Sequence, residues 1–197
     1  MTYQNLGASD KEKPPTTGFV IWLTGLSGAG KSTIATALAH ELRSLGTAVE
    51  ILDGDEVRTN LSKGLGFSKK DRDTNVLRIG YVARLLARNG VGVITAAISP
   101  YAAIRKRVRH STEGEAHFIE VHVDCSITEL HRRDTKGLYK QAQQGKLANL
   151  TGVSDPYEPP NNPDIYINTE QQTVTESINT ILTALLQQNL ISIPASD

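Results

Sequence analysis

The residues from Gly25 to Ser32 combine glycines, a lysine and a hydroxyl at the spacing G-x-x-x-x-G-K-[ST] of a phosphate-binding loop. Glycines allow backbone N–H groups to surround phosphate oxygens, because a residue without Cβ adopts positive φ readily. Lys31 adds a positive charge at the β- and γ-phosphates, and the Ser32 hydroxyl is a ligand for Mg²⁺. The spacing therefore predicts a nucleoside triphosphate site. The alternative is a glycine-rich turn without a ligand.

The residues on either side of this loop predict the strand and the helix that a phosphate-binding loop requires. The apolar run from Phe19 to Leu23 is typical of a buried strand. After the loop, apolar residues recur at helical spacing at Ile34, Leu38, Leu42 and Leu45. This context favours the nucleotide site over the simple turn.

Two carboxylates, Asp53 and Asp55, follow a second predicted strand at residues 48–52. Many phosphate-binding-loop enzymes place an aspartate at the end of a later apolar strand, but the run from Val91 to Ile98 contains none. Asp53 and Asp55 therefore fill the acidic roles in our prediction. The alternative is a turn or helix cap at Asp-Gly-Asp.

Strand and helix patterns alternate five times along the chain, with later strands predicted at 91–97, 117–123 and 165–168. This order predicts an α/β fold of the P-loop NTPase type. It would be a three-layer sandwich with a mostly parallel five-stranded sheet and helices on both faces. Ser68 with Asp71 predicts the start of a long helix. Ser99 and Pro100 predict an N-cap and first turn for a helix whose basic residues we interpret as a solvated face.

The chain divides into an extension and one domain. Residues 1–17 are polar, contain Pro14-Pro15 and show no period, which predicts a flexible N-terminal extension. Residues 18–197 are predicted to form a single domain. Within it, residues 135–162 have weak periodicity and a proline-rich end, which predicts a lid segment.

Composition excludes several classes of function. Lys and Arg together number 21, as do Asp and Glu, so the net charge is zero. This balance argues against bulk nucleic-acid binding, which needs a basic surface. No apolar run suits a membrane span, and we expect a cytoplasmic protein without a membrane partner. The single cysteine, Cys125, excludes an intrachain disulfide and is predicted to be a buried structural thiol.

Five motifs, in order along the chain, resemble those of the adenylylsulfate (APS) kinase family. They are Gly25–Thr33; Leu52–Arg58; Leu65–Ser68 with Asp71, Arg72, Asn75 and Arg78; Ile94–Tyr101; and Arg133–Lys140. The resemblance implies transfer of the γ-phosphoryl group of ATP to the 3′-hydroxyl of adenosine 5′-phosphosulfate, giving PAPS and ADP in sulfate assimilation. It also implies Mg²⁺ as cofactor, a homodimer, and a possible functional association with ATP sulfurylase.

The same resemblance, together with residue chemistry, assigns the site. Asp55 is predicted to orient the acceptor hydroxyl and accept its proton, and Asp53 to order the water shell of Mg²⁺ bound at Ser32, although these roles could be exchanged. The predicted ATP-binding residues are Gly25, Leu26, Ser27, Gly28, Ala29, Gly30, Lys31, Ser32, Thr33 and Arg133. The predicted APS-binding residues are Asp55, Arg58, Phe67, Arg72, Asn75, Val76, Ile98, Ser99, Lys136, Asn149 and Leu150. Among these, Arg58 and Arg72 suit the phosphate and sulfate oxygens, and Phe67 suits the adenine face.

Ser99 occupies a position that the family pattern sometimes assigns to a phosphoserine intermediate. We expect a helix cap there instead, because Pro100 follows and no histidine lies nearby in sequence to activate the hydroxyl. A single in-line transfer from ATP to APS is the simpler path.

Three positions depart from the family pattern. Ala97 stands in place of the usual phenylalanine, Ile104 in place of an aspartate, and Asn149-Leu150 in place of Gly-Phe. An aliphatic Leu150 covers an adenine face without the stacking contribution of ~0.5–1.5 kcal/mol. We expect weaker binding of the acceptor and the same reaction.

Two alternative functions stay open at this point. Another small-molecule kinase, acting on gluconate, shikimate or a nucleoside monophosphate, would share the loop and the fold. A nucleotide-switched binding module would hydrolyse ATP slowly and show no dependence on an acceptor. ADP release with and without APS distinguishes these alternatives.

Overall fold

The computed structural model describes residues 17–193, so the predicted N-terminal extension lies outside the described residues except for Thr17. Five strands and seven helices occupy this range. They are β1 Phe19–Thr24, α1 Lys31–Ser44, β2 Val49–Asp53, α2 Gly54–Thr59, α3 Lys69–Ala87, β3 Gly92–Ala96, α4 Ala102–Thr112, β4 His117–Asp124, α5 Ile127–Arg133, α6 Leu138–Gln143, β5 Ile165–Asn168 and α7 Val174–Gln187.

The five strands form one sheet in the order β2-β3-β1-β4-β5, and every neighbouring pair is parallel. Strand β1 is central, with its Val20 beside Val93 of β3 and Phe118 of β4. Parallel neighbours require crossover connections, and the helices supply them. The predicted α/β fold is therefore confirmed.

The sheet divides the hydrophobic core into two layers, because successive side chains of a strand point to opposite faces. In β1, Ile21 and Leu23 pack with residues of α1 and α7, whereas Val20 and Trp22 pack with residues of α3 and α4. Helices thus cover both faces, as the predicted three-layer sandwich requires. None of the helices in the described range combines the length and apolar composition of a membrane span.

Two local predictions hold in detail. Ser68 is the N-cap of α3 and accepts a hydrogen bond from the backbone N–H of Asp71 at 3.2 Å. Cys125 is buried directly after β4, and burial raises the pKa of its thiol. An unreactive structural thiol follows from that environment.

The parallel strands place their carboxyl ends at one edge of the sheet. The phosphate-binding loop follows β1, α2 follows β2, and residues 97–101 follow β3. Residues 135–162, the predicted lid, contain the short helix α6 and an irregular stretch that runs back to this edge. Most of the predicted site residues therefore lie at this edge of the sheet.

Candidate active site

A cavity of about 490 Å³ opens at the carboxyl edge of the sheet, between the phosphate-binding loop and residues 147–151. Many of the predicted site residues line it. They are Ser27, Gly28, Gly30, Lys31, Ser32, Thr33, Asp53, Asp55, Arg58, Phe67, Arg72, Asn75, Val76, Ile98, Lys136, Asn149 and Leu150. The cavity thus brings together segments that lie more than 100 residues apart in the sequence.

The loop after β1 has the geometry that its glycines predict. Gly28 and Gly30 adopt φ of 80° and 100°, a conformation that side chains with a Cβ disfavour. Lys31 is buried, and its Nζ donates to the carbonyl oxygens of Gly25 at 2.8 Å and Leu26 at 2.7 Å. Burial, with a smaller contribution from the nearby charge of Lys136, lowers the Lys31 pKa to about 7. A triphosphate at this loop would favour the charged form of Lys31.

Ser32 and Asp53 form an oxygen-rich corner beside the loop. The Ser32 hydroxyl donates to one carboxylate oxygen of Asp53 at 2.6 Å. The other Asp53 oxygen accepts the backbone N–H of Asp55 at 2.9 Å, so Asp53 is also the N-cap of α2. A hydroxyl and a carboxylate suit Mg²⁺, which is usually held by one or two carboxylates, waters and substrate phosphates. Within residues 17–193, no group of three or more His, Cys, Asp or Glu side chains could hold a metal by itself.

Asp55 and Lys136 form an ion pair at the mouth of the cavity. Their side chains are 75% and 51% exposed, so both face solvent as well as the cavity. Asp53 therefore lies on the Ser32 side of the cavity, and Asp55 on the side of the 135–162 segment. The roles of the two carboxylates stay a prediction.

The wall opposite the loop carries Phe67 between two arginines. The Phe67 side chain is 57% exposed, and its ring centroid lies 4.6 Å from the Arg58 guanidinium and 5.7 Å from that of Arg72. Burial, followed by the nearby charge of Arg72, lowers the Arg58 pKa. This wall offers an aromatic face and positive charge to a nucleotide carrying two anionic groups.

The guanidinium nitrogens of Arg72 donate to other residues of the protein. Its Nε donates to the Phe67 carbonyl at 2.9 Å, one terminal nitrogen donates to the Thr151 hydroxyl at 2.6 Å, and the other donates to the Asn149 carbonyl. Asp155 completes the set with an ion pair at 3.1 Å. Arg72 therefore ties α3 to residues 149–155, and its role as an anion ligand stays a prediction.

Asn75 lines the cavity and carries a buried polar atom that is unpaired among the described residues. The residue is 5% exposed, and its side-chain oxygen has no hydrogen-bond partner among residues 17–193. Buried polar atoms are nearly always paired, so an orphan atom in a cavity indicates a place for a ligand donor. Val76 and Ile98 line the same cavity.

Asn149 and Leu150 close the cavity on the side of the 135–162 segment. Asn149 has φ of 59°, a left-handed conformation that glycine or asparagine adopts most easily. Leu150 is 6% exposed and lines the cavity. Asparagine in place of glycine therefore preserves the backbone geometry, while leucine in place of phenylalanine removes an aromatic face.

The predicted N-cap role of Ser99 is wrong. Helix α4 begins at Ala102 with Tyr101 as N-cap, because Ser99 itself adopts a left-handed φ of 41° and turns the chain before the helix starts. The Ser99 side chain is 2% exposed, accepts from the Trp22 indole N–H at 3.0 Å and donates to the Ala97 carbonyl at 3.3 Å. Ser99 does not line the cavity.

Arg133 also lies away from the cavity. It donates to the side chain and carbonyl of Thr169 at 3.1 and 2.7 Å and to Glu129 at 2.8 Å. The Thr169 hydroxyl donates in turn to the Ala29 carbonyl of the loop at 3.0 Å. Arg133 is thus connected to the phosphate-binding loop through Thr169. Its direct contact with ATP stays a prediction. Gly25, Leu26 and Ala29 belong to the loop but do not line the cavity.

Three residues of this region escaped sequence reasoning. Tyr139 is buried and donates its hydroxyl to the Ser27 carbonyl at 2.8 Å, linking α6 to the loop. Thr151 accepts from Arg72 and lines the cavity. Arg105, which was expected on a solvated face, is 3% exposed. Only Tyr139 gave a signal, since it lies within the Lys-Gly-Leu-Tyr motif.

Comparison with known proteins identifies relatives of this chain. The family model of adenylylsulphate kinase matches residues 17–168. A probable adenylyl-sulfate kinase from Synechocystis is 54% identical over 174 residues, covering 88% of this chain and 97% of the relative. A probable bifunctional SAT/APS kinase 2 from Sorangium cellulosum is 58% identical over 168 residues, which are 85% of this chain and 28% of that longer protein.

A solved structure extends the comparison to the fold. The APS kinase from Mycobacterium tuberculosis, in complex with AMPPNP and APS, has a TM-score of 0.83 and 37% identity, covering 87% of this chain and 99% of the other. The family model, the two relatives and this structure agree with the family that the five motifs indicate. The chain belongs to the adenylylsulphate kinase family.

Proposed function

We propose that this chain transfers the γ-phosphoryl group of ATP to the 3′-hydroxyl of APS, giving PAPS and ADP, within the cavity described above. The observation that carries the proposal is that one cavity joins the phosphate-binding loop to a wall containing Phe67, Arg58 and Asn75. The first side suits a triphosphate, and the second suits an adenine nucleotide with anionic groups. The Mycobacterium tuberculosis relative was solved with both kinds of ligand, AMPPNP and APS.

On the donor side, the loop and Lys31 hold the phosphates and stabilise the charge that develops during transfer. Phosphoryl transfer depends mainly on alignment and electrostatic stabilisation, because its transition state is loose. The backbone N–H groups of the loop are fixed in advance, which favours the charged transition state without further rearrangement.

Ser32 and Asp53 would hold Mg²⁺, the first through its hydroxyl and the second through water. The bound ion would neutralise charge on the β- and γ-phosphates. The Ser32 hydroxyl lies 2.6 Å from an Asp53 carboxylate oxygen, and both groups are oxygen ligands of the kind that Mg²⁺ prefers, which supports this assignment.

On the acceptor side, Asp55 would orient the 3′-hydroxyl and accept its proton. The ion pair with Lys136 places a positive charge beside the Asp55 carboxylate at the mouth of the cavity. Phe67 would stack on the adenine, Arg58 would bind the anionic oxygens, and Asn75 would accept a hydrogen bond from the nucleotide.

Transfer would occur directly, without a phosphoserine at Ser99. The Ser99 hydroxyl is buried, already hydrogen-bonded to Trp22, and outside the cavity lining. Transfer with inversion of configuration at a chiral γ-phosphate would support the direct path. Retention, or phosphoserine formed at a competent rate with ATP alone, would make Ser99 the nucleophile.

One assay tests the reaction. Mg-ATP is supplied with APS, AMP, gluconate or no acceptor, and ADP and the phosphorylated product are followed. We expect ADP release and PAPS formation with APS only. ADP release that ignores APS would favour a nucleotide-switched binding module, and preference for gluconate would favour another small-molecule kinase.

The assembly and setting are also part of the proposal. We propose a homodimer in the cytoplasm, from the family resemblance. Sedimentation of the purified chain tests the dimer, and a monomer or a larger ring would contradict it.

A functional association with ATP sulfurylase is suggested by the bifunctional relative from Sorangium. Co-sedimentation of the two purified enzymes would test it, and separate sedimentation of each would contradict it.

A further inference from the structure

Arg105 of α4 is a buried cation outside the cavity. Its side chain is 3% exposed, and its Nε donates to the Glu120 carboxylate of β4 at 2.9 Å. Burying a guanidinium is costly unless its donors are paired, so the remaining nitrogens of Arg105 must also find acceptors.

Those nitrogens bind two carbonyls from separate segments. One terminal nitrogen donates to the Ser99 carbonyl at 2.7 Å, and the other donates to the Glu158 carbonyl at 2.7 Å. Ser99 belongs to the loop after β3, whereas Glu158 lies near the end of the 135–162 segment. A single planar group therefore fixes the spacing between these two segments.

Neighbouring contacts join the same two segments. The backbone N–H of Glu158 donates to the Pro100 carbonyl at 2.8 Å, and the Glu158 carboxylate accepts the backbone N–H of Ala102 at 2.6 Å. The Tyr157 hydroxyl lies 3.2 Å from the hydroxyl of Thr24 in β1. Residues 157 and 158 are thus attached to the sheet edge itself.

Both segments continue directly into the cavity wall. Ile98, the neighbour of Ser99, lines the cavity. Asp155, three residues before Glu158, pairs with Arg72 at 3.1 Å, and Arg72 holds Thr151 at the cavity. A shift at either carbonyl bound by Arg105 would therefore move part of the acceptor wall.

We propose that Arg105 is a positioning residue for the acceptor half of the cavity, an inference that rests on the proposed function. By binding Ser99 and Glu158 together, it assembles the loop after β3 and the end of the 135–162 segment before APS arrives. Among the described residues, the hydrogen bonds of Arg105 go to Glu120, Ser99 and Glu158 and not to the phosphate-binding loop, so we expect the donor half to change less.

The test is Arg105→Lys. Lysine keeps a positive charge for Glu120 but cannot donate in fixed directions to two carbonyls as the guanidinium does. We expect KM for APS to rise about tenfold, as the loss of hydrogen bonds to a charged group implies, while KM for ATP changes by less than about twofold. Exchange of the Glu158 backbone N–H should also become faster.

Arg109→Lys is the matched control. Arg109 lies one turn later in α4, where it pairs with Asp164 and donates to the Phe118 carbonyl at 3.3 Å. It also lies 3.9 Å from Glu120, the carboxylate that Arg105 binds, and lysine keeps a positive charge there. None of these partners lines the cavity. We expect both KM values and the Glu158 exchange rate to stay at wild-type levels, even if the melting temperature falls.

Equal changes in both KM values, or no change in Arg105→Lys, would overturn the inference. If that variant does not fold, Arg105→Gln tests the same link, because a neutral amide offers fewer donors than the guanidinium to the two carbonyls. A selective rise in KM for APS would support the inference, and unchanged values would overturn it. Amide exchange needs no substrate, so it tests whether Arg105 holds the two segments together even if the proposed reaction is not observed.

Discussion

The two halves of the cavity are built in different ways. The donor half is mainly one continuous stretch, Gly25 to Thr33, whose backbone, Lys31 and Ser32 supply the binding groups, with Asp53 added from the end of β2. The acceptor half is assembled from α2, α3, the loop after β3 and residues 135–151, which meet only in the folded protein. A motif therefore specifies the first, whereas tertiary contacts such as those of Arg72 specify the second.

This difference predicts which kinetic parameter changes when a group is removed from each half. Loss of a donor-side group removes charge stabilisation at the transferred phosphoryl group and should lower kcat. Loss of an acceptor-side group that only binds APS changes the fit of that substrate and should raise its KM, whereas loss of the proton acceptor Asp55 should lower kcat. The following variants test that division, in order of decreasing effect.

The largest effect is expected for Lys31→Ala. The variant removes the charge beside the β- and γ-phosphates, and kcat should fall about a thousandfold, as for loss of a strong transition-state donor. Lys106→Ala, an exposed lysine on α4, is the control and should retain full turnover. Unchanged turnover in Lys31→Ala would refute the assignment of the donor half.

Asp55→Asn should lower kcat about a hundredfold, with little change in ATP binding, because only the positioning and deprotonation of the acceptor hydroxyl are affected. Steady-state kinetics of Asp55→Asn and Asp53→Asn, measured side by side at saturating Mg²⁺, check the roles. If saturating Mg²⁺ restores only Asp55→Asn, the assignments of the two carboxylates are exchanged.

Phe67→Ala should raise KM for APS about tenfold and spare KM for ATP, since stacking of a base on an aromatic ring contributes ~1–3 kcal/mol. Initial rates with each substrate varied in turn provide the measurement. Equal increases in KM for both substrates would show that Phe67 does not act on APS binding alone.

The lowered pKa of Lys31 predicts a moderate pH effect on the donor half. With a pKa of about 7, the free protein loses the Lys31 proton as pH rises, whereas bound phosphates favour the protonated form. Nucleotide affinity should therefore fall about fivefold from about pH 7 to pH 8, with proton uptake on binding. Calorimetry in buffers of different ionisation enthalpy measures that uptake. Lys31→Arg, charged throughout this range, should lose the pH dependence.

The smallest effect is expected for Leu150→Phe, which adds an aromatic face to the acceptor half. KM for APS should fall about threefold, within the ~0.5–1.5 kcal/mol of an aromatic pair. Because Leu150 is buried, thermal unfolding of the variant should be compared with that of Leu150→Met. A higher KM at unchanged melting temperature would show that the larger ring does not face the nucleotide.

Local patterns in the sequence predicted much of the fold, because strand and helix periods, the Ser68 cap and the loop motif each depend on adjacent residues. The Ser99 cap was predicted wrongly because Pro100 resembles a first helical residue, while the left-handed turn at Ser99 is held by Trp22 and Arg105 from other elements. Arg105 itself was assigned to a solvated face, since a run of basic residues does not reveal that β4 and residue 158 cover one of them.

Trp22 provides an intrinsic fluorescence probe of the acceptor half. It is the only tryptophan in the sequence, it is fully buried in β1, and its indole N–H donates to the Ser99 hydroxyl at the loop after β3. Indole emission responds to hydrogen bonding and to the polarity of its surroundings. Rearrangement of the Ser99 loop on APS binding would therefore change the intrinsic fluorescence of the unlabelled protein, giving a time-resolved signal for acceptor capture that needs no engineered probe.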